Sequence, residues 1–250
     1  PGGRGAFNWT DPKSGGRTEC DIVLDLRRGQ PLFPAPEKRE GYLRADPGNT
    51  GAFTKVLLDA SQLVGTFEKL LHVRTEPLLC AHSRAEQTGC PRCLDLCPTG
   101  AISPAGEFVT VDPMICAGCG ACSAACPSGA ISYDAPPVDL IMARVQTLAT
   151  AYREAGGATP RLLVHDGHGA EMIRLAARHG RGLPATVIPL ELPELNAFGH
   201  AEALAALAAG FADVTLLPGP NTERPAMEAQ VELARAMAGE TVAVLDTTDP

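Results

Sequence analysis

Two short segments of the chain carry almost the same residues, and they constrain the fold more than any other feature. "CLDLCPTGAIS" occupies residues 93–103 and "CSAACPSGAIS" occupies residues 122–132, an offset of 29 positions. In each copy two cysteines stand four positions apart, and a proline follows the second. The repeat predicts a small unit made of two similar halves with equivalent cysteines.

The second copy belongs to a longer run, Cys116-x2-Cys119-x2-Cys122-x3-Cys126-Pro127. This spacing allows three thiolates on one short loop to hold three corners of an iron–sulfur cube, while the fourth cysteine is directed elsewhere. Zinc sites usually separate their CxxC pairs by a longer hairpin, so a third cysteine so close by has no clear role at zinc. The run favours iron–sulfur ligation over two zinc sites or a set of reduced core thiols.

The first copy lacks one cysteine of this pattern. Shifting the longer run back by 29 positions places three of its cysteines on Cys90, Cys93 and Cys97. Cys116 falls on Gln87, whose amide cannot replace a thiolate, and the nearest upstream thiol is Cys80. The first run is therefore predicted to begin at Cys80, with seven extra residues between its first two cysteines.

Over this block the sequence resembles the bacterial two-cluster ferredoxin family. The resemblance implies two [4Fe–4S] clusters, with the fourth cysteine of each run ligating the other cluster. The first cluster would take Cys80, Cys90, Cys93 and Cys126. The second cluster would take Cys116, Cys119, Cys122 and Cys97. The insertion "AHSRAEQTG" departs from the family pattern, so Cys20 or His82 could replace Cys80, or the first cluster could persist in a three-iron form.

The remaining composition is that of a globular protein, with 45% hydrophobic and 20% charged residues. A net charge of −8 argues against general affinity for nucleic acid or anionic membranes, which need an exposed positive surface. No apolar stretch predicts a transmembrane segment, and no secretory signal opens the sequence. Clustered cysteines in such a chain predict a cytoplasmic, metal-binding protein rather than a secreted disulfide framework.

The chain divides into three predicted parts, a partial α/β segment at 1–70, the cysteine block at 71–137 and an α/β domain at 138–250. In the first part we expect a strand at 21–26 and, within 50–69, a helix with Thr50 as N-cap and one buried face. In the third part, the apolar segments "RLLVHD", "ATVIPLE", "DVTLLPG" and "TVAVLD" alternate with helices, as in a parallel sheet. The predicted fold class is α/β, a small parallel sheet with flanking helices plus an inserted dicluster ferredoxin-like α+β domain.

The third part resembles the delta subunit of methyl-viologen-reducing hydrogenases and the matching tail of heterodisulfide reductase subunits. In "LLVHDGHGAE", His165 and His168 stand where that family carries a CxxC pair. Two neutral imidazoles without thiolates or carboxylates make a poor metal site, and no cysteine follows Cys126. The resemblance therefore implies a retained fold without the family's two-iron cluster.

The segments before and across the first run, "QPLFPAPEKREGYLRADP" and "CAHSRAEQTGCPRCLDLCPTGAI", also resemble polyferredoxin-type proteins. That resemblance implies a redox enzyme as partner, such as a formate dehydrogenase or a reductase subunit. The sequence has no P-loop, nucleophile elbow or HExxH motif, so no catalytic residue is predicted.

The favoured hypothesis is an electron-transfer protein that shuttles single electrons between a redox enzyme and a carrier. One alternative is an iron–sulfur subunit of a nucleotide- or flavin-dependent reductase, in which the α/β domain binds the nucleotide. Another is a scaffold whose clusters serve only structural stability.

Overall fold

The computed structural model describes residues 7–33, 35–65 and 68–246. Its N-terminal part holds four short strands and one helix, namely β1 (Phe7–Thr10), β2 (Arg17–Cys20), β3 (Val23–Asp25), β4 (Tyr42–Arg44) and α1 (Thr50–Gln62). β1 and β2 are antiparallel, whereas β3 and β4 are parallel. Among the described residues these are separate two-stranded sheets, and neither joins the larger sheet of the C-terminal part.

Helix α1 differs from its prediction in its start and in its packing. Asn49, rather than Thr50, is the N-cap, and its side-chain oxygen accepts a hydrogen bond from the backbone N–H of Ala52 at 3.1 Å. No residue of α1 is buried, and Leu57 and Leu58 are 44% and 61% exposed. Helical spacing specifies an apolar face but no partner for it, and the neighbouring three-residue strand β4 is too small to cover that face.

The cysteine block contains six short strands and two short helices, namely β5 (Val73–Thr75), β6 (Ser83–Arg84), β7 (Gln87–Thr88), α2 (Arg92–Leu96), β8 (Ile102–Ala105), β9 (Phe108–Val111), α3 (Ala121–Ala124) and β10 (Ile131–Tyr133). Three antiparallel pairs form, β5 with β10, β6 with β7 and β8 with β9. Its buried core consists of Ile102, Val109 and Ile131, against which five cysteines pack. So small a core leaves much of the block's stability to whatever the cysteines bind.

The C-terminal part alternates helices and strands, namely α4 (Val138–Glu154), β11 (Arg161–His165), α5 (Gly167–His179), β12 (Val187–Glu191), α6 (His200–Ala209), β13 (Val214–Leu217), α7 (Arg224–Ala238) and β14 (Val242–Val244). The strands coincide with the four apolar segments of the sequence and form a parallel sheet in the order β12-β11-β13-β14. Side chains of the sheet, α4, α6 and α7 form the main apolar core. No helix within the described residues is long and apolar enough to cross a bilayer.

Because the four strands are parallel, their carboxyl ends lie at one edge of the sheet. The 3₁₀ turn Leu195–Ala197 follows β12 at this edge and packs against α3 of the cysteine block. A Cβ atom built on Gly120 would lie 2.5 Å from the Cβ of Ala197, and one built on Gly199 would lie 2.7 Å from the Cβ of Ala124. This close contact of small residues, the alanine–glycine seam, joins the second cysteine run to the C-terminal part.

Candidate metal centre

The first three cysteines of the second run lie on the loop before α3 and on α3 itself, and Cys126 follows the helix. Gly118 and Gly120 adopt left-handed backbone conformations, with φ of 76° and 80°, which fold the loop tightly between its cysteines. A small enclosed cavity forms inside this turn, and four thiols line it, those of Cys97, Cys116, Cys119 and Cys122. The structure thus gathers the last cysteine of the first run with the first three cysteines of the second.

Burial raises the pKa of the Cys119 thiol to about 11 and also raises the pKa values of Cys116 and Cys122 above their ordinary range. The nearby Cys97 thiol adds to the increase in the pKa of all three. Several thiolates so close together in a buried space need a positively charged partner. We refer to Cys97, Cys116, Cys119 and Cys122 as the second thiol group.

Four other cysteines form the first thiol group, Cys80, Cys90, Cys93 and Cys126. Burial is the main cause that raises the pKa of the Cys93 thiol to about 11. Three further thiols lie close enough to raise that pKa as well, in decreasing order those of Cys126, Cys90 and Cys80. The structure thus brings the last cysteine of the second run to the first, while Cys93 also raises the pKa of Cys122, so the two groups are neighbours.

A β-hairpin explains how the insertion in the first run leaves Cys80 near Cys90. Strands β6 and β7 pair around a two-residue turn, Ala85–Glu86, in which both residues have positive φ, 50° and 65°. The carbonyl oxygen of His82 accepts hydrogen bonds from the backbone N–H groups of Gly89 and Cys90, at 2.7 and 3.3 Å. The hairpin therefore projects from the chain path, and its base brings the two ends of the insertion together.

The crossing cysteines, Cys97 and Cys126, have matching surroundings. The backbone N–H of Ala101 donates to Cys97 Sγ at 3.2 Å, and the hydroxyl of Thr99 lies 3.7 Å from the same sulfur. In the second copy, the Ser128 hydroxyl lies 3.7 Å from Cys126 Sγ. Although burial opposes it, hydrogen bonds from the backbone of Ile131, Ser128 and Ala130 and from the Ser128 side chain hold the pKa of Cys126 below its ordinary value. Such donors stabilise sulfur-centred negative charge.

The donor chemistry of both thiol groups fits an iron–sulfur cluster. In each group the donors are sulfur atoms, and in the second group they surround a cavity, as a cluster with one thiolate per iron requires. Within residues 7–33, 35–65 and 68–246, no three His, Cys, Asp or Glu side chains are placed to hold a metal ion. For the second group the fit therefore rests on the four thiols around the cavity, and for the first group on the packing of Cys80, Cys93 and Cys126 against the small core of the block.

Other candidate ligands named from the sequence lie apart from the thiol groups or have other partners. Cys20 is in the N-terminal hairpin, where its Sγ lies 3.9 Å from the carbonyl oxygen of Phe7. His82 is buried, and its Nδ1 lies 3.2 Å from the carbonyl oxygen of Cys90, so the ring holds the backbone there. His165 is buried at the end of β11 whereas His168 is exposed on the first turn of α5. One imidazole is therefore shielded from water and the other is not.

Sequence reasoning missed two side chains that hold the loop of the second run. Tyr133 is almost fully buried, and its hydroxyl donates to the carbonyl oxygen of Gly118 at 2.9 Å. The ring of His72 occupies the space where a side chain at Gly118 would lie, 2.4 Å from a built Cβ atom. The Nδ1 atom of His72 is buried and has no hydrogen-bond partner among the described residues. In the sequence, only the glycine at position 118 indicated that another side chain packs closely against this loop.

Comparison with known families identifies the block. A family model described as a 4Fe-4S dicluster domain matches residues 88–130, which contain seven of the eight cysteines of the two thiol groups. Cys80 lies upstream of the matched segment. No curated protein and no solved structure matches the chain. Residues 88–130 are therefore a ferredoxin-like domain that binds at least one [4Fe–4S] cluster and has the character of an iron–sulfur electron-transfer module.

Proposed function

We propose that the protein binds two [4Fe–4S] clusters, one at each thiol group, and transfers single electrons through them between a redox enzyme and a carrier. The observation that carries the proposal is the arrangement of eight thiols in two neighbouring groups of four. Each group combines three cysteines of one run with the last cysteine of the other. The family match over residues 88–130 supports the same chemistry.

Each bound cluster would accept and release one electron at a time. The chain's own residues prepare the sites for this. N–H and hydroxyl donors beside Cys97 and Cys126 stabilise negative charge on sulfur. The alanine–glycine seam excludes water from one side of the second thiol group, whereas the first run is largely surrounded by exposed residues. The first group is therefore the better placed of the two to meet a partner protein.

The test is iron and acid-labile sulfide analysis with low-temperature EPR of the anaerobic, dithionite-reduced protein. We expect about eight irons per chain and an interacting two-spin signal in the wild type. Cys80→Ser and Cys116→Ser should each lose or convert one cluster, whereas Cys20→Ser, the matched control, should keep both. Roughly four irons in the wild type, or a Cys80→Ser variant indistinguishable from wild type, would contradict the proposal.

One observation favours the reductase alternative. A cavity of about 1740 Å³ lies between the N-terminal part, which supplies most of its lining within residues 21–69, and the carboxyl edge of the parallel sheet, which supplies Asp166, Glu194 and Asn221. Ligands of open parallel α/β sheets bind at this edge. Flavin or nicotinamide absorbance in the extract of gently purified protein would favour that alternative, and its absence would favour the simple conduit.

The partner enzyme stays a prediction from the resemblance to polyferredoxin-type proteins. Formate-dependent bleaching of cluster absorbance, measured in a mixture with a formate dehydrogenase, tests it directly. Omitting formate or the dehydrogenase provides the control.

A further inference from the structure

One ion pair connects the N-terminal part to the region around the second thiol group. Lys38 ends a 3₁₀ turn at Pro36–Lys38, and its ammonium group pairs with the carboxylate of Glu223, the N-cap residue of α7. The two side chains are only 18% and 24% exposed. Asn196 donates from Nδ2 to the second carboxylate oxygen of Glu223 at 3.0 Å. The pair is therefore partly shielded from water and fixed in place.

The packing places this ion pair near the loop that carries Cys119, where the cysteine block contacts the C-terminal part. Asn196 precedes Ala197, which meets Gly120 in the alanine–glycine seam. Helix α3 also packs against α7, whose N-terminus carries Glu223. Asn196, which holds Glu223, is thus next in sequence to the alanine that packs on the glycine after Cys119, and both charged residues lie near enough to Cys119 to change the pKa of its thiol.

The electrostatics agree with this placement. Burial is the largest cause of the raised pKa of Cys119; among nearby charges, Glu223 raises that pKa and Lys38 lowers it, both more strongly than the thiol of Cys97 raises it. For Cys93 of the first group, the charges that raise the pKa are those of other thiols. Glu194 is another acid in this region; burial is the main cause that raises its pKa, while Lys38 lowers that pKa and Glu223 raises it.

We propose that Lys38 and Glu223 set the reduction potential of the cluster held by the second thiol group, with opposite signs, and leave the other cluster unchanged. The inference rests on the proposed two-cluster function. Reduction adds one electron to the cluster, so a nearby carboxylate disfavours the reduced state and a nearby ammonium favours it. Partial shielding keeps both effects from being screened as they are at an open surface.

The pair also links the potential to the N-terminal part. Lys38 belongs to that part, whereas Glu223 belongs to α7. Any event that moves the N-terminal part away from α7 would remove the ammonium and leave the carboxylate. The potential of the second-group cluster would then fall, and the position of the N-terminal part would regulate electron transfer.

The test is an EPR-monitored redox titration of both clusters. In Glu223→Gln the potential of one cluster should rise, which means a several-fold higher ratio of reduced to oxidised cluster at a fixed potential. In Lys38→Gln the same cluster should shift several-fold in the opposite direction. Lys38→Arg keeps the charge and should keep the wild-type potential. Glu228→Gln, an exposed position on the same helix, and Lys13→Gln are the matched charge controls.

Three results would overturn the inference: unchanged potentials in both charge variants, equal shifts of both clusters, or shifts of the same sign in Glu223→Gln and Lys38→Gln. A shift in Lys38→Arg as large as that in Lys38→Gln would also overturn it, because the effect would then be structural. Failure of the proposed function is distinct, since the wild type itself would lack one of the two cluster signals.

Discussion

The two thiol groups share one sequence pattern but lie in different surroundings. Helix α2 of the first copy has no buried residue, whereas α3 of the second copy buries Ala121 and Ala124. At the equivalent positions, 29 residues earlier, the first copy has Arg92 and Asp95. The cysteines determine the ligand spacing, but the residues between them determine what can pack on each half. Small residues attach the second half to the C-terminal part, and charged residues keep the first half in solvent.

The largest expected effect comes from exchanging these intervening residues. Ala124→Asp would bury a carboxylate against Gly199, where the existing Cβ already meets the backbone closely. An unpaired buried charge costs several kcal/mol, so we expect the apparent Tm of the anaerobic holoprotein to fall by roughly 10 °C. Asp95→Ala, the reverse exchange on exposed α2, should change it by less than about 2 °C. Equal shifts in the two variants would show that the halves do not differ in packing.

A smaller loss of stability should follow when the seam is overfilled. Gly120→Ala combines a left-handed backbone, φ 80°, with a methyl group 2.5 Å from the Cβ of Ala197. Backbone strain and overpacking together cost roughly 2–5 kcal/mol. Gly129→Ala has a similar φ of 68° but open space around the new methyl group, so it should cost only about 1–2 kcal/mol. The difference between their denaturation midpoints measures the seam alone, and no difference would contradict the packing described.

Iron removal should distinguish the two groups kinetically. An excess of iron chelator, under anaerobic conditions, should remove about half of the iron fast and half slowly, with rates that differ roughly tenfold, because the shielded site must open first. Cys116→Ser, which retains the first group, should show the fast phase, and Cys80→Ser the slow phase. Release in a single phase from the wild type, or the reverse assignment in the variants, would contradict the difference in shielding.

The sequence predicted those features that follow from local spacing. Cysteine intervals indicated a [4Fe–4S] ferredoxin-like block, and four apolar segments indicated four strands, because both patterns lie in residues close together in the sequence. The division of the cysteines into two ligand sets stays a prediction. Local sequence does not show which residues will cover an apolar face, which is why one face of α1 was wrongly expected to be buried. The N-cap was misplaced by one residue because Asn49 and Thr50 are both of the types that favour that position. Nor could spacing show that the insertion after Cys80 forms a hairpin, since its turn residues, Ala85 and Glu86, are not the usual ones for positive φ. Contacts across the chain, such as Lys38 with Glu223, leave no local pattern at all.

The smallest expected effect is a shift in reduction potential, and it tests whether the fourth cysteine of each run ligates the cluster of the other run. Thr99 and Ser128 are equivalent positions, and each hydroxyl lies 3.7 Å from the sulfur of the crossing cysteine two residues earlier. Removing a donor to a thiolate should lower the potential slightly, because the reduced state loses a stabilising hydrogen bond. In a redox titration, Thr99→Val should therefore shift the cluster of the second thiol group, and Ser128→Ala that of the first.

The outcome of comparing Thr99→Val with Ser128→Ala depends only on which cluster Cys97 and Cys126 each ligate. If each run held its own cluster, the two shifts would be exchanged, and Thr99→Val would move the potential of the cluster that Cys80→Ser abolishes. Thr110→Val serves as control, because the hydroxyl of Thr110 lies 3.2 Å from that of Ser103 on the β8–β9 hairpin and has no thiol partner among the described residues. Since the two halves repeat the same hydrogen bond at Cys97 and Cys126, a small shift in the expected cluster is informative even though neither variant changes a ligand.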